Sequence, residues 1–323
     1  MKRPRKIRLT ALLLFGLAFA WWGLPWLVPL PEKLRQPLPA SPTFLAADGT
    51  PLRQMLSDEG QRVTPPLSWD DIPADFVHAT LAAEDRRFFA HGGVDLSAIA
   101  RATWDNFKAG RVVSGASTIT QQLAKISAAE RQPRRLWTKL VEALQARRIE
   151  MTWSKERILA EYLNRVGYGN LLTGCAFAAQ GYFDKPLRDL SPAECAFLAA
   201  LPQAPTRLNP FKNRKAVLPR QKFILDGMLE HGWLTEEQHS LAGGEKVVLQ
   251  RFNGGFEAPH AIDLVAGTYI DAGSAPVRTT IVPALQSRVE SIIARRLAAL
   301  SDRHVTQAAA VVIENKTGHV LAL

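Results

Sequence analysis

Cysteine is scarce in this chain: 2 in 323 residues, which excludes a disulfide-stapled scaffold. Cys175 and Cys195 both lie in apolar stretches and read as buried thiols, not as a bridge or metal ligands. No serine is followed three residues later by lysine, so an acylating serine of the Ser-x-x-Lys type is excluded. Low-complexity tracts and internal repeats are missing. The 47% hydrophobic and 22% charged content excludes wholesale disorder, collagen and coiled coil. Acidic residues are short as well: 30 Asp and Glu face 40 Lys and Arg, a net charge of +10. Such an excess suits nucleic acid, a membrane surface or an acidic substrate.

Position decides among these. Lys2, Arg3, Arg5, Lys6 and Arg8 hold half of the excess and precede an uncharged run from Thr10 to Leu30. That run matches the ~20 residues a helix needs to cross the hydrocarbon core. Trp21, Trp22 and Trp26 cluster in its second half, where an aromatic belt belongs, and Pro25, Pro29 and Pro31 loosen its outer end. Residues 1–9 therefore read as a cytoplasmic basic tail. Residues 10–30 read as a single-pass transmembrane helix of the cytoplasmic (inner) membrane, with the body on the periplasmic or extracellular side. The alternative is a cleaved signal peptide, because Ala18-Phe19-Ala20 resembles a cleavage site. On either reading the body works outside the cytoplasm, and nucleic acid is not an expected partner.

Residues 31–66 are rich in proline and turn residues and read as a membrane-proximal linker, with a hairpin at Asp48-Gly49. From about Ile72 to about residue 243 the text is helical. Ser191-Pro192-Ala193-Glu194 and Thr235 with Gln238 are capping boxes. Ser154 caps a helix over Lys155–Arg165, which Gly167 and Gly169 end. From Lys246 the β-branched runs VVLQRF, VRTTI and AAAVVIE flank one helix of about Pro283–Leu300. The last run and the residues after it read as two strands around a turn at Lys316-Thr317-Gly318. Residues 246–323 are expected to hold a linker and the start of a further α/β domain that is incomplete here.

Three stretches carry chemistry. In a helix running from Ala74 toward Phe88, Glu84 lies within roughly 60° of Val77, Thr80, Leu81 and Phe88 at 100° per residue. A carboxylate on an apolar stripe has its pKa raised by burial, which makes a base usable near neutral pH; the bland alternative is a core Glu satisfied by an arginine. His91-Gly92-Gly93 follows as a tight turn. In Ser114-Gly115-Ala116-Ser117-Thr118-Ile119-Thr120-Gln121-Gln122-Leu123-Ala124-Lys125, small residues lead into a helix whose N-terminal N–H groups suit a phosphate; an N-cap before a polar helix is the plain alternative. The third stretch, from Arg131 to Glu150, is basic. Glu142 lies within roughly 40° of Arg135, Thr138, Ala146 and Ile149. It reads as a solvated acid beside a guanidinium, opposite a core stripe of Trp137, Leu140, Leu144 and Met151.

Together these strings resemble the five motifs of the peptidoglycan glycosyltransferases, glycosyltransferase family 51. Glu84-Asp85-Arg86-Arg87-Phe88 with His91 and Gly92 resembles the first motif. Gly115 with Ser117-Thr118-Ile119-Thr120-Gln121-Gln122 resembles the second, and Lys139-Leu140-Val141-Glu142 the third. Ile158-Leu159-Ala160-Glu161-Tyr162-Leu163-Asn164 through Gly169 resembles the fourth, and Arg220 with Ile224-Leu225 is a weaker match to the fifth. The third motif usually begins Arg-Lys, whereas Thr138 stands here, with Arg134 and Arg135 nearby to supply the charge. The anchor, Phe256-Glu257-Ala258-Pro259-His260 and the final hairpin are most similar to the bifunctional penicillin-binding proteins of the 1C group.

The resemblance implies a mainly α, lysozyme-like glycosyltransferase domain over residues 67–245, behind the transmembrane helix, with a short α/β segment at 246–323 that begins an incomplete transpeptidase domain. It implies lipid II and the nascent glycan strand as substrates. Glu84 is then the general base and Glu142 the second acid, assisting the pyrophosphate leaving group. Lys125, Arg134 and Lys139 would neutralise the pyrophosphate. Asp85, Phe88, His91, Gly115, Ser117, Thr118, Gln121, Gln122 and Asn164 would belong to the substrate-binding set. No tightly bound cofactor is expected, although a divalent cation, Mg or Mn, is a candidate helper at Glu142. The cytoplasmic membrane and other cell-wall synthesis proteins are the expected partners. A hydrolase is disfavoured by the basic run, which suits a phosphate leaving group. Transpeptidation is excluded for this chain by the missing Ser-x-x-Lys. The alternative function is an inactive membrane scaffold that binds lipid II.

Overall fold

The computed structural model describes residues 15–16, 18–38, 41, 43–55, 62–63, 65–111, 115–128, 135–250, 258–269 and 276–323. In chain order the elements are α1 (Leu24–Leu27), β1 (Thr43–Leu45), β2 (Pro51–Gln54), β3 (Arg62–Val63), α2 (Ala74–Glu84), α3 (Leu96–Ala109), α4 (Ile119–Ile126), α5 (Leu136–Thr152), α6 (Lys155–Arg165), β4 (Gly167–Gly169), β5 (Leu172–Thr173), α7 (Cys175–Phe183), α8 (Pro192–Ala199), α9 (Pro210–Glu230), α10 (Glu236–Gly244), α11 (Pro259–Tyr269), β6 (Val277–Arg278), α12 (Pro283–Ala299), β7 (Val312–Ile313) and β8 (Val320–Ala322). The protein is mainly helical, as expected.

The chain divides into two compact units. The first takes its described residues from 1–38, 66–179 and 185–248. At its centre lies α8, with Ala193, Cys195, Ala196, Phe197, Leu198 and Ala199 all buried. A helix apolar on every side must be enclosed, and α2 and α9 pack on it and on each other. The Ser191–Glu194 capping box forms as read, and the buried Glu194 carboxylate also pairs with Lys185 Nζ at 2.7 Å. Thr235–Gln238 and Ser154 cap their helices as the sequence predicts. A second group joins α4 to α5 and α6. Both cysteines are free and buried, and burial pushes the Cys175 thiol up to about 12.

The second unit takes its described residues from 39–65, 180–184 and 249–323. The hairpin read at Asp48-Gly49 is present: β1 and β2 pair antiparallel, and Asp48 Oδ1 accepts from Thr50 N–H at 2.9 Å. β6 then pairs parallel with β1. The segment that reads as a linker thus supplies two strands of this sheet, over a core of Phe44, Leu52, Ala258, Ile262 and Ile281. β7 and β8 form the final hairpin.

Three local expectations change. α2 ends at Glu84, because Asp85 leaves the helix (φ −160°, ψ 78°) to accept hydrogen bonds from distant residues, so Phe88 sits in a separate 3-10 turn (Phe88–Ala90). Lys246–Gln250 has no regular structure; Val247 is buried, but its carbonyl accepts from Arg214 instead of from a neighbouring strand. α5 turns its faces the other way from the expected one, as described below. Of the apolar run Thr10–Leu30, residues 10–14 and 17 lie outside the described residues, as does the basic tail. Among the described residues no helix is long and apolar enough to cross a membrane.

Candidate active site

Glu84 closes the last turn of α2. The residue is half-buried, but its Oε1 is shielded from solvent and has no hydrogen-bond partner among the described residues. Its Oε2 accepts from Gln122 Nε2 at 2.8 Å, and Gln122 Oε1 accepts from Tyr162 Oη at 3.1 Å. The Gln122 amide is therefore fixed in one orientation. It presents its donor end to the carboxylate and its acceptor end to the phenol. Desolvation raises the Glu84 pKa above the usual carboxylate range. The Gln122 hydrogen bond and the Arg220 guanidinium oppose that rise, and the charge on Asp85 adds to it. Burial raises the Tyr162 phenol well above its ordinary value, so it remains a donor.

Asp85 and His91 form a second, buried pair. His91 Nε2 lies 3.0 Å from both Asp85 carboxylate oxygens, and Gly93 N–H donates to His91 Nδ1 at 3.2 Å. The acceptor role of Nδ1 puts the proton on Nε2, facing Asp85. Asp85 Oδ2 also accepts from Ile119 N–H at 3.0 Å, so it ties the end of α2 to the start of α4. That start is a full capping box. Thr118 Oγ1 accepts from Gln121 N–H at 3.2 Å, and Gln121 Oε1 accepts from Thr118 N–H at 3.1 Å. Thr118 Oγ1 also donates to the Gly93 carbonyl at 2.7 Å. Gly93 has φ +92°, and a Cβ there would come within 2.8 Å of the Ala146 carbonyl. Glycine is required on both grounds.

Glu142 differs from its sequence reading. It is 7% exposed, and its partner is Lys139, whose Nζ lies 2.7 Å from Oε2. Lys139 Nζ also donates to Ser117 Oγ at 3.3 Å. The expected core stripe of α5 is instead its outer face, with Trp137 70% and Leu140 49% exposed. The buried face carries Glu142, Ala146 and Ile149. Periodicity identifies two faces but not which one turns inward, and here the inward one holds the carboxylate.

The predicted residues fall into hydrogen-bonded groups and separate positions. Glu84 with Gln122 forms one group, and Asp85, His91, Thr118 and Gln121 form a neighbouring one joined through Gly93. Glu142, Lys139 and Ser117 form a third, exposed at Ser117. Phe88 is buried beneath Lys155, whose Nζ lies 4.2 Å from the ring centroid. Lys125 and Gly115 are exposed, and a Cβ on Gly115 would meet nothing within 4 Å among the described residues. Asn164 is engaged at both ends by backbone: Oδ1 accepts from Leu67 N–H at 3.0 Å and Nδ2 donates to the Leu67 carbonyl at 2.9 Å. Arg134 lies outside the described residues. The sequence reading did not single out Lys155, Glu150 or Thr120. Lys155 Nζ and Thr120 Oγ1 both meet Glu150 Oε1, at 2.8 and 2.6 Å. The signals that could have found them are the place of Thr120 inside the second-motif string and of Lys155 just after the N-cap Ser154.

Among the described residues no three His, Cys, Asp or Glu side chains gather as a metal site. The donor set at Glu142 is one carboxylate already paired with an ammonium. That set does not make a dedicated divalent-cation site.

A mostly helical unit thus holds two acids, Glu84 beside a fixed amide and Glu142 paired with an ammonium. Comparison with known proteins gives the family. The Transglycosylase family profile matches residues 48–229, more than half of the chain, and the chain belongs to that family. Penicillin-binding protein 1A of Aquifex aeolicus is 42% identical over 199 residues, covering 62% of this chain and 27% of that protein. Its counterpart in Neisseria flavescens is 41% identical over 228 residues, covering 70% and 28%. The chain thus spans a little over a quarter of the length of these curated relatives, which bear the 1A name and not 1C. The crystal structure of penicillin-binding protein 1A from Haemophilus influenzae aligns with a TM-score of 0.46 at 21% identity, over 87% of this chain and 32% of that one.

Proposed function

We propose that the chain is a peptidoglycan glycan-chain polymerase with a lysozyme-like catalytic domain held at the outer face of the cytoplasmic membrane by residues 10–30. The observation that carries this reading is the Glu84 carboxylate: one oxygen is held by Gln122, while the other is shielded and unpartnered. A carboxylate so placed is a proton acceptor waiting for a donor. The donor substrate is the growing glycan on undecaprenyl pyrophosphate, and lipid II supplies its 4-hydroxyl. Glu84 takes the hydroxyl proton, the oxygen attacks the donor's anomeric carbon, and the bond from that carbon to the pyrophosphate oxygen breaks. The electron pair leaves with the pyrophosphate, and a β-1,4 bond forms with inversion.

The charge that develops on the leaving group falls to Lys139, with Lys125 and Arg134 as further cations. Glu142 holds Lys139 from inside the fold and so acts on the leaving group through that ammonium. No step is routed through a metal, because the residues at Glu142 do not fit one. The basic tail and the three indoles of the apolar run support the membrane placement. The test is incubation of the detergent-solubilised chain with labelled lipid II. Long β-1,4-linked glycan with release of undecaprenyl pyrophosphate is the expected product. Lipid II bound but unchanged would overturn the assignment in favour of a binding scaffold.

A further inference from the structure

The turn His91-Gly92-Gly93 is held from three sides. The His91 carbonyl accepts from Lys155 Nζ at 2.7 Å, the Gly92 carbonyl from Arg147 at 3.3 Å, and the Gly93 carbonyl from Thr118 Oγ1 at 2.7 Å. Each donor comes from a different helix region: α6, α5 and the cap of α4. Thr118 belongs to the second-motif string, whereas Lys155 and Arg147 belong to none. Arg147 is the unusual one.

Arg147 is 9% exposed, and burial lowers its pKa. No carboxylate is hydrogen-bonded to it among the described contacts. Its guanidinium carbon instead lies 4.6 Å from the ring centroids of both Trp21 and Trp22, and its Nε donates to the Trp21 carbonyl at 3.3 Å. A cation enclosed by two indole faces is held by their quadrupoles as well as by its hydrogen bonds. The same guanidinium crosses Gly92 so closely that a Cβ there would come into steric clash with it. Two neighbouring residues of α5 add to the hold on the N-terminal segment. Gln145 Nε2 donates to the Pro29 carbonyl at 3.1 Å, Arg148 donates to the Val28 carbonyl, and the Arg148 guanidinium lies 5.4 Å from the Trp26 ring.

We infer that Arg147 is a positioning residue that couples the Trp21–Trp22 segment, just past the middle of the apolar run, to the turn that sets the Asp85–His91 pair beside the candidate base Glu84. The coupling path is short and fully named: indoles to Arg147, Arg147 to the Gly92 carbonyl, the turn to His91, and His91 to Asp85, the residue next to Glu84. Arg147 contacts the Trp21 and Gly92 carbonyls and the two indoles. It acts by keeping the turn closed, and the N-terminal segment acts by keeping Arg147 in place. The consequence for activity rests on the polymerase reading; the mechanical link does not.

The test compares the chain in detergent micelles with three variants: Arg147→Met, Trp21→Ala with Trp22→Ala, and Trp21→Phe with Trp22→Phe. Hydrogen exchange of the peptide spanning residues 88–95, and of the Ile119 amide that Asp85 accepts from, reads the link without any substrate. Exchange there should speed up at least tenfold in Arg147→Met and in the double Ala variant, with α9 unchanged. The double Phe variant, which keeps two π faces over the guanidinium, should restore most of the protection. With lipid II, kcat should fall about tenfold in the first two variants while KM holds, and Phe should rescue it. Equal exchange in wild type and the double Ala variant would overturn the inference. So would loss of protection throughout unit one, because that would make Arg147 a stability residue only. An inactive wild type with the exchange pattern intact would sink the polymerase reading and leave the coupling standing.

Discussion

Glu84 carries two opposed demands, and they generate a pH signature. Burial raises its pKa, so the folded state favours the protonated form. The stability cost of ionising it appears as pH rises from the ordinary glutamate range, about 4.3, through the raised folded value, and persists above it. Glu84→Gln removes that cost. Its melting temperature should equal or exceed that of wild type at pH 7, and the advantage should vanish below the ordinary glutamate range, as scanning calorimetry across pH would show. A base works only when ionised, so the acid limb of the kcat/KM profile should lie above the ordinary glutamate pKa. A limb at or below that value would mean that water reaches Glu84 freely. Lys139→Met should cost at least ~10²-fold in kcat, measured by glycan release. It should also destabilise the fold, because it leaves the Glu142 carboxylate buried without its ammonium.

At the scale of elements, the turn after α2 and the face choice of α5 decide the site. Gly93→Ala should destabilise the protein by roughly 1–3 kcal/mol, read by urea unfolding, because φ +92° and the Ala146 carbonyl both oppose a Cβ. A neutral effect would show that the turn is not closed against α5. Much of this level was legible in the sequence. The caps at Ser154, Ser191 and Thr235 are local chemistry and appear where they read. Glu84 was visible because one carboxylate interrupts an apolar stripe. The orientation of α5 was not legible, since Trp137 and Leu140 look like core and Glu142 looks like surface until the partners of the helix are known. The end of α2 was hidden for a similar reason: Asp85 leaves the helix for Ile119 and His91, neither of which lies within its own helical turn. Lys246–Gln250 reads as a strand by residue type, but strand formation needs a pairing edge that residue type does not supply.

For the whole molecule, the charge distribution makes a claim about topology. The five basic residues before Leu9 should hold the tail on the cytoplasmic face, so protease added to the outside of intact cells stripped of their wall should remove the body and spare the tail. Changing Lys2, Arg3, Arg5, Lys6 and Arg8 to serine should weaken that preference and protect part of the population. Complete protection of the body in the wild type would contradict the outward placement. Each compact unit has its own core, so damage to the Phe44–Ile281 core of the second should leave the α2, α8 and α9 packing of the first intact.

The central claim is that Glu84 removes a proton from the attacking hydroxyl. Polymerisation of labelled lipid II by the detergent-solubilised chain, run beside Glu84→Gln at matched folding, tests it most directly. The account predicts long glycan from the wild type and a fall of at least ~10²-fold in rate for the variant, with lipid II binding retained. Glycan formed by Glu84→Gln at the wild-type rate would contradict it.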